Sequence, residues 1–427
     1  MKSLKFNIRT FGCKVNQYES EQMKRLLQQN GFVCCKNIED TDIFIINSCT
    51  VTNNVDREIK RFIRKLTREN PAIKIMVAGC LAETIEDRQE LSNMSAVKWL
   101  VKNSEKSNIH LILNPMLKND PKIDLQPVKK GDRDRVFIKI QDGCDNACSY
   151  CKTTIVRGKS VSRPFQDILN EVKSVLEQGY NEIVFTGICL GDWGKDLHSK
   201  RNIVDILKEI VGFNGDFRIR LSSIEPLLIS DELLDLMREN SKICRHLHIP
   251  LQSGDTGVLK RMNRKYTSEE FLLLIEKIRE KIPEIGITTD VIVGFPGEDD
   301  MAFENTYDLI KKIQPIRVHV FTYSRRIGTK AYSFKEDVSV DITRKRQKKL
   351  QELVCDITEK YAKALKDKEQ YVLVESEKDK DLKYFSGYTD TYLRVFLQNA
   401  KIKDIGKIVP IIIRKAENNV ILGEIVG

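Results

Sequence analysis

Three cysteines share one short segment, Gly143-Cys144-Asp145-Asn146-Ala147-Cys148-Ser149-Tyr150-Cys151, directly after the strand-like run Val136–Ile140. The spacing C-x3-C-x2-C puts three thiolates on one loop, enough to hold three irons of a [4Fe-4S] cube. The fourth iron then has no protein ligand, and an open coordination position is what a catalytic metal site keeps. Such an iron can chelate the amino and carboxylate groups of S-adenosylmethionine. An electron from the cluster then breaks a carbon–sulfur bond and releases a 5′-deoxyadenosyl radical. A structural zinc site wants four ligands, and no further Cys or His lies within 30 residues on either side. A thioredoxin-like pair would use Cys148 and Cys151 and leave Cys144 without a role. Cys144, Cys148 and Cys151 are therefore the expected cluster ligands and catalytic centre.

A second set, Cys13, Cys49 and Cys80, has no sequence spacing to speak for it. Its position in the fold does. Each cysteine falls one to four residues past the end of an expected strand, and each precedes a helix. In a parallel α/β sheet those positions share the edge where ligands bind. Three cysteines on one edge can converge on a second metal cluster, although buried cysteine is common for packing reasons alone. Cys34, Cys35, Cys244 and Cys355 read as packing residues, and so does Cys189, despite its place in the Gly187–Gly194 loop.

The elements that must position these groups follow from apolar periodicity. Residues 1–120 alternate strand and helix: strands Lys5–Arg9, Asp42–Asn47 and Ile73–Ala78, helices Gln17–Gln29 and Asn53–Glu69. That pattern predicts an open parallel α/β sheet. Asn114–Arg133, rich in Pro, Lys and Asp, reads as a linker. Residues 134–366 repeat strand and helix six times, with strands Val136–Ile140, Glu182–Thr186, Phe217–Leu221, His246–Pro250, Ile287–Val293 and Arg317–Phe321. This is an incomplete (β/α)8 barrel, with reactive groups expected at the carboxyl ends of strands. Glycines there, Gly187 and the Gly294–Gly297 loop after Val293, let backbone approach a ligand. A long charged helix, Ile342–Lys366, leads to residues 367–427. Five short strands in that last segment predict a small closed β-barrel of OB-like type.

With 71 Lys plus Arg against 61 Asp plus Glu, the chain carries a formal charge of +10. That excess suits a polyanionic partner. No apolar run approaches the roughly 18 residues a membrane span needs, and no secretory signal core is evident. A cytoplasmic protein without a membrane partner is expected, with cysteines that are not disulfides. Arg57, Lys60, Arg61, Arg64, Lys65 and Arg68 fall on one face of the helix after Cys49, opposite Ile59, Phe62, Ile63 and Leu66. This face is a candidate phosphate-binding stripe. Arg344–Lys349 and the aromatic group Tyr384, Phe385, Tyr388 and Tyr392 are weaker candidates for an RNA surface.

Two cysteine triplets, a partial barrel and a terminal β-barrel together resemble the methylthiotransferases, radical-SAM enzymes with an N-terminal three-cysteine domain and a C-terminal TRAM domain. The resemblance spans essentially the whole chain. Phe11-Gly12-Cys13-Lys14-Val15-Asn16-Gln17-Tyr18-Glu19-Ser20 looks like the MtaB-type signature. So do Arg220-Leu221-Ser222-Ser223-Ile224-Glu225-Pro226, the run Arg245–Gly254, and Tyr323-Ser324-Arg325-Arg326-Ile327-Gly328-Thr329. The resemblance implies two [4Fe-4S] clusters, S-adenosylmethionine and an electron donor of flavodoxin or ferredoxin type. It also implies a tRNA substrate, whose N6-threonylcarbamoyladenosine beside the anticodon becomes the 2-methylthio derivative. Tyr150, Gly187, Ser223, Glu225, Gln252, Val293 and Phe321 are the expected S-adenosylmethionine contacts. Arg157, Arg220 and Arg326 are candidates to grip a substrate carboxylate. Thr154 departs from the family pattern, which often has proline there. The rival readings are a relative acting on isopentenyladenosine or a ribosomal protein, and a two-cluster electron-transfer or RNA-binding protein.

Overall fold

Apolar runs rich in Ile, Val and Phe form the strands of a computed structural model, which describes residues 4–113 and 134–426. The expected linker lies outside the described residues. The chain divides into two units. The first comprises Met1–Gln126, Asp142–Lys159 and Ser324–Tyr332; the second holds the rest.

The first unit is built on five parallel strands: β1 (Lys5–Thr10), β2 (Val33–Cys34), β3 (Ile43–Ser48), β4 (Lys74–Gly79) and β5 (Val97–Val101), in the order β2-β1-β3-β4-β5. All six residues of β3 are buried, as a central strand covered on both faces requires. The period of two is plain in the packing. Phe6, Ile43, Ile45 and Met76 face Met23 and Leu27 of α1 (Lys14–Gln29). Phe44, Ile46, Ile75 and Val77 face Ile59, Ile63 and Leu66 of α2 (Asn53–Glu69) and Leu91 of α3 (Ile85–Ser92). Each such fully buried side chain contributes about 1.5–3 kcal/mol. Helix α4 (Ile109–Leu113) completes the α1 layer. Strand β5 was not among the expected elements; its Val97-Lys98-Trp99-Leu100-Val101 run does not alternate strictly, and its pairing with β4 carries a bulge at Lys98.

The second unit carries the six expected parallel strands in two groups. These are β6 (Val136–Lys139), β9 (Glu182–Thr186) and β10 (Arg218–Leu221), then β11 (His246–His248), β12 (Gly286–Val293) and β13 (Arg317–Thr322). Short strands Gln141–Asp142 (β7) and Val161–Ser162 (β8) intervene. Bridges Ile219–Ile243 and Ser223–His248 join the two groups. Helices Phe165–Glu177, Ile203–Val211, Asp231–Glu239, Ser268–Lys281 and Asp300–Ile313 bury their apolar faces against one side of this sheet. The charged helix Val340–Ala364 packs on β13 through Leu350, Val354 and Ile357.

Residues 369–425 close a five-stranded barrel, as expected. Its turn at residues 388–392 docks on the amino ends of the sheet in the same unit. Arg218 donates to the Tyr371 and Tyr388 carbonyls at 3.1 and 2.7 Å, and Arg220 to the Thr389 and Asp390 carbonyls at 2.9 Å each. Tyr392 stacks on His246 with centroids 4.5 Å apart. Fully buried Glu182 accepts from both arginines. Burial alone would raise its pKa, but Arg218, Arg220 and Arg135 override that and hold the carboxyl well below the ordinary range. Among the described residues no helix is long and apolar enough to cross a membrane.

Candidate active site

The first cysteine set sits where parallel-sheet topology puts it. Cys13 caps α1, Cys49 follows β3, and Cys80 follows β4 and opens a short 3-10 turn. All three lie at the carboxyl edge of one sheet. Asn16, fully buried, ties the first two loops together by donating to the Phe11 and Ser48 carbonyls at 2.9 and 2.8 Å. The Ser48 hydroxyl accepts from the Leu81 amide at 3.1 Å and donates to the Ala78 carbonyl at 2.7 Å, fixing the third loop. Gly12 adopts φ +107, and a Cβ there would stand 2.4 Å from Cys49 Cβ and 2.7 Å from its sulfur. No other residue fits beside that thiol. Burial pushes the Cys49 thiol up to about 12, and the neighbouring Cys13 and Cys80 push the same way. A metal ion bound there would favour the Cys49 thiolate that burial and its neighbours oppose, as metal ligation by cysteine does.

The second set belongs to the same unit. Cys144, Cys148 and Cys151 are half-buried and form no disulfide. Backbone amides aim at two of them: Asn146 N–H at Cys144 Sγ, 3.3 Å, and Thr153 N–H at Cys151 Sγ, 3.4 Å. Donors of this kind stabilise ligating sulfur and tune a cluster's potential. Gly143 has φ +69, and a Cβ would collide with the Lys159 carbonyl at 1.9 Å, so the turn into Cys144 requires glycine. Thr154 lies in the first turn of α5 (Thr153–Arg157). Amides in a first turn have no intrahelical acceptor, so threonine and proline both fit there.

Arg157, at the end of α5, binds this loop to α1. Its guanidinium donates to Glu19 and Asp142, each at 2.9 Å, and to Asn16 Oδ1 at 2.6 Å. It also lies within electrostatic reach of Cys80, Cys13 and Cys49. Lys152 adds an ion pair to Asp87 at 2.9 Å, and Asn103 donates to the Val156 carbonyl at 2.8 Å. Arg326 pairs with Asp56 at 2.7 Å and bonds Thr50 and Asn53. Arg157, Arg220 and Arg326 were candidates to grip a substrate carboxylate. The structure corrects all three: the side chain of each is buried and committed to its own partners. Sequence reasoning missed those partners, Glu19, Asp142, Asp56 and Glu182, because nothing local marks an acidic residue as buried.

Apart from Tyr150, which lies in the first unit, the other candidates are at or near strand ends of the second unit. Gly187 gives room to the Gln141 side chain, whose Oε1 would lie 2.9 Å from an added Cβ and accepts from the Cys189 amide at 2.8 Å. Ser223 is paired in register with His248, and Glu225 is ion-paired with Arg264. Gln252 holds a left-handed backbone, φ +71, between Asp290 and Ile292. Strain at a non-glycine residue is characteristic of functional positions. The Val293 side chain packs in the core while its carbonyl accepts from Tyr323. Phe321 is 41% exposed, and Tyr150 is half-buried on the cysteine loop.

On α2, Arg57, Arg61, Arg64, Lys65 and Arg68 are exposed, and Lys60 is paired with Glu90 at 2.7 Å. Four of the weaker basic and aromatic candidates need correction, while Arg344, Lys345, Lys348 and Lys349 are exposed. Arg346 is buried against Glu298 and Asp300. Phe385 is core, and Tyr388 and Tyr392 stack at 4.6 Å in the contact with His246.

Comparison with known proteins covers nearly the whole chain. Residues 5–101 match the uncharacterized protein family UPF0004, 138–310 the radical SAM superfamily, and 363–426 the TRAM domain. A Thermotoga maritima protein named threonylcarbamoyladenosine tRNA methylthiotransferase MtaB is 38% identical, over 91% of this chain and 90% of that one. A Bacillus subtilis protein of the same name is 34% identical over 95% and 93%. A Clostridium tetani protein named tRNA-2-methylthio-N(6)-dimethylallyladenosine synthase is also 34% identical, over 98% and 96%. Among solved structures, the radical S-adenosylmethionine methyltransferase TsrM from Kitasatospora setae aligns with a TM-score of 0.53 at 14% identity, over 75% of this chain and 73% of that chain. The cobalamin-dependent radical enzyme OxsB aligns at 0.52 and 12%, over 82% of this chain and 56% of that chain. These two share the fold.

Proposed function

Because the chain belongs to the radical-SAM tRNA methylthiotransferases, we propose that its substrate is N6-threonylcarbamoyladenosine beside the tRNA anticodon, converted to the 2-methylthio nucleoside. The observation that carries this reading is the 38% identity to the Thermotoga maritima protein named for that nucleoside, against 34% to the relative named for dimethylallyladenosine. The Phe11–Ser20 segment supports it.

The donor sets fit the cofactors. Cys144, Cys148 and Cys151 would hold one [4Fe-4S] cluster with an open iron, and Cys13, Cys49 and Cys80 a second. Bound there, the first would supply the electron for reductive cleavage of one S-adenosylmethionine, and the second would supply sulfur, methylated by another S-adenosylmethionine, for carbon 2 of adenine, a carbon inert to mild polar chemistry. The chain's own contribution is positional. Asn16, Ser48 and Gly12 set the first three thiols on one edge, and Arg157 ties the second loop to them. Gly187, Ser223, Glu225, Gln252, Val293, Phe321 and Tyr150 are our candidates for contact with S-adenosylmethionine. An electron donor of flavodoxin or ferredoxin type would complete the system.

Nucleoside analysis of tRNA from a host lacking the gene tests the substrate. The 2-methylthio-N6-threonylcarbamoyladenosine signal should vanish and its unmethylthiolated precursor accumulate. Loss of the 2-methylthio dimethylallyl nucleoside instead would reject the reading. For tRNA binding we assign the exposed arginines of α2. Changing Arg57, Arg61, Arg64 and Arg68 together to Gln should weaken tRNA binding. It should also flatten the dependence of log K on log salt by roughly 3 units of slope, from the counterions no longer released. An unchanged slope in a salt titration would remove the stripe from the interface.

A further inference from the structure

Along the sheet of the second unit, residues alternate between two faces. Leu247, Ile249, Ile287, Val291, Val318 and Val320 pack against the helices. His246, His248, Thr288, Asp290, His319 and Phe321 therefore point to the inner face. At the amino end that face is spent: Glu182, Arg218 and Arg220 satisfy one another and the small barrel's carbonyls, and His246 stacks on Tyr392. One step toward the carboxyl ends the character changes. His248, Asp290 and His319 converge, each offering a ligand atom within 4.8 Å of the others, and all three are partly exposed. Thr288 Oγ1 lies 2.9 Å from His248 Nδ1 and fixes the ring so that Nε2 faces Asp290 Oδ2 at 3.1 Å. His319 lies 5.9 Å from His248, centroid to centroid, tilted against it, and stacks on Phe321 at 6.3 Å.

We infer that His248, Asp290 and His319 form the subsite that reads the polar N6 substituent of the substrate adenosine. The inference rests on the substrate proposed above. A threonylcarbamoyl group brings a carboxylate, a hydroxyl and ureido N–H groups. The imidazole N–H of His319 suits the carboxylate, and Asp290 suits a donor from the hydroxyl or ureido nitrogen. A dimethylallyl group brings neither donor nor acceptor. Seating it here would strip water from three polar side chains and return nothing, a mismatch that polar sites reject strongly. Phe321, two residues further along β13 and 41% exposed, offers an apolar wall beside the polar triad.

The test uses the cluster-loaded full chain with S-adenosylmethionine and three anticodon stem-loop RNAs. These carry N6-threonylcarbamoyladenosine, N6-dimethylallyladenosine or unmodified adenosine beside the anticodon, and binding is followed by fluorescence anisotropy. The wild type should prefer the threonylcarbamoyl loop over the unmodified one by about 10- to 100-fold, the value of hydrogen bonds to charged groups. His319→Phe and Asp290→Asn should each bring that ratio within about threefold. Because the readout is a ratio on one protein, a general folding defect would not produce it, and His319→Gln replaces the Phe variant if that one does not fold. A wild type that prefers the dimethylallyl loop defeats the substrate proposal itself. A wild type that prefers the threonylcarbamoyl loop, with the ratio intact in both variants, overturns only this subsite. Zinc or iron bound beyond the content of the clusters, and lost in both variants, would also overturn it by making the triad a metal site.

Discussion

Cys148→Ala is expected to abolish both 5′-deoxyadenosine formation and methylthiolation, to less than about a thousandth of the wild-type rate, because carbon 2 of adenine has no polar route to substitution. Cys49→Ala should behave differently. It leaves Cys144, Cys148 and Cys151 intact, so S-adenosylmethionine is still cleaved and 5′-deoxyadenosine still appears, yet no methylthio nucleoside forms. Each variant should lose about half of the ~8 irons that two cubes bring. Anaerobic reconstitution, iron analysis and chromatography of both products separate the cases. If Cys49→Ala still made the methylthio nucleoside, the second triplet would have no part in supplying sulfur. If neither variant changed 5′-deoxyadenosine, the radical centre would be misassigned.

The second large effect is structural. Arg157 has a side chain only 2% exposed and faces Glu19, 8% exposed, and Asp142. Breaking a buried pair by removing one partner typically costs about 3–5 kcal/mol, since the remaining charges stay buried without compensation. Arg157→Ala should therefore lower the urea midpoint of the first unit and, by freeing the Cys144–Cys151 loop, lower its cluster occupancy. Lys106 still reaches Glu19, which limits the loss. Arg157→Lys keeps the charge but not the planar fork, so it should recover only part of the stability. An alanine variant whose midpoint and iron content both match the wild type would show that the pair does not hold the loop.

Legibility in the sequence followed chemistry and periodicity. The C-x3-C-x2-C loop was readable because three ligands lie within eight residues and no tertiary contact is needed to bring them together. Cys13, Cys49 and Cys80 were readable one level up. Strand ends of a parallel sheet share an edge, so their convergence needed only the strand assignments. The six strands of the second unit and the five of the small barrel declared themselves by β-branched runs and turn residues. The boundaries drifted by one to three residues: the strand expected over His246–Pro250 spans His246–His248, and the helix expected over Gln17–Gln29 spans Lys14–Gln29.

What failed was the reading of four arginines. Arg157, Arg220, Arg326 and Arg346 read as free cations because a guanidinium carries no sequence mark of its partner. Those partners lie 138, 38, 270 and 48 positions away, at Glu19, Glu182, Asp56 and Glu298. The aromatics Tyr388 and Tyr392 read as an RNA surface for the same reason: only the docking of the small barrel on the sheet gives them His246 to stack on. Local spacing and period thus determined the strands and the family, and marked the candidate ligand sets. Which charges are used up inside the fold, and which polar groups remain facing the inner side of the sheet, was decided by tertiary contacts. Desolvation is affordable for an ion only where a distant residue supplies the opposite charge.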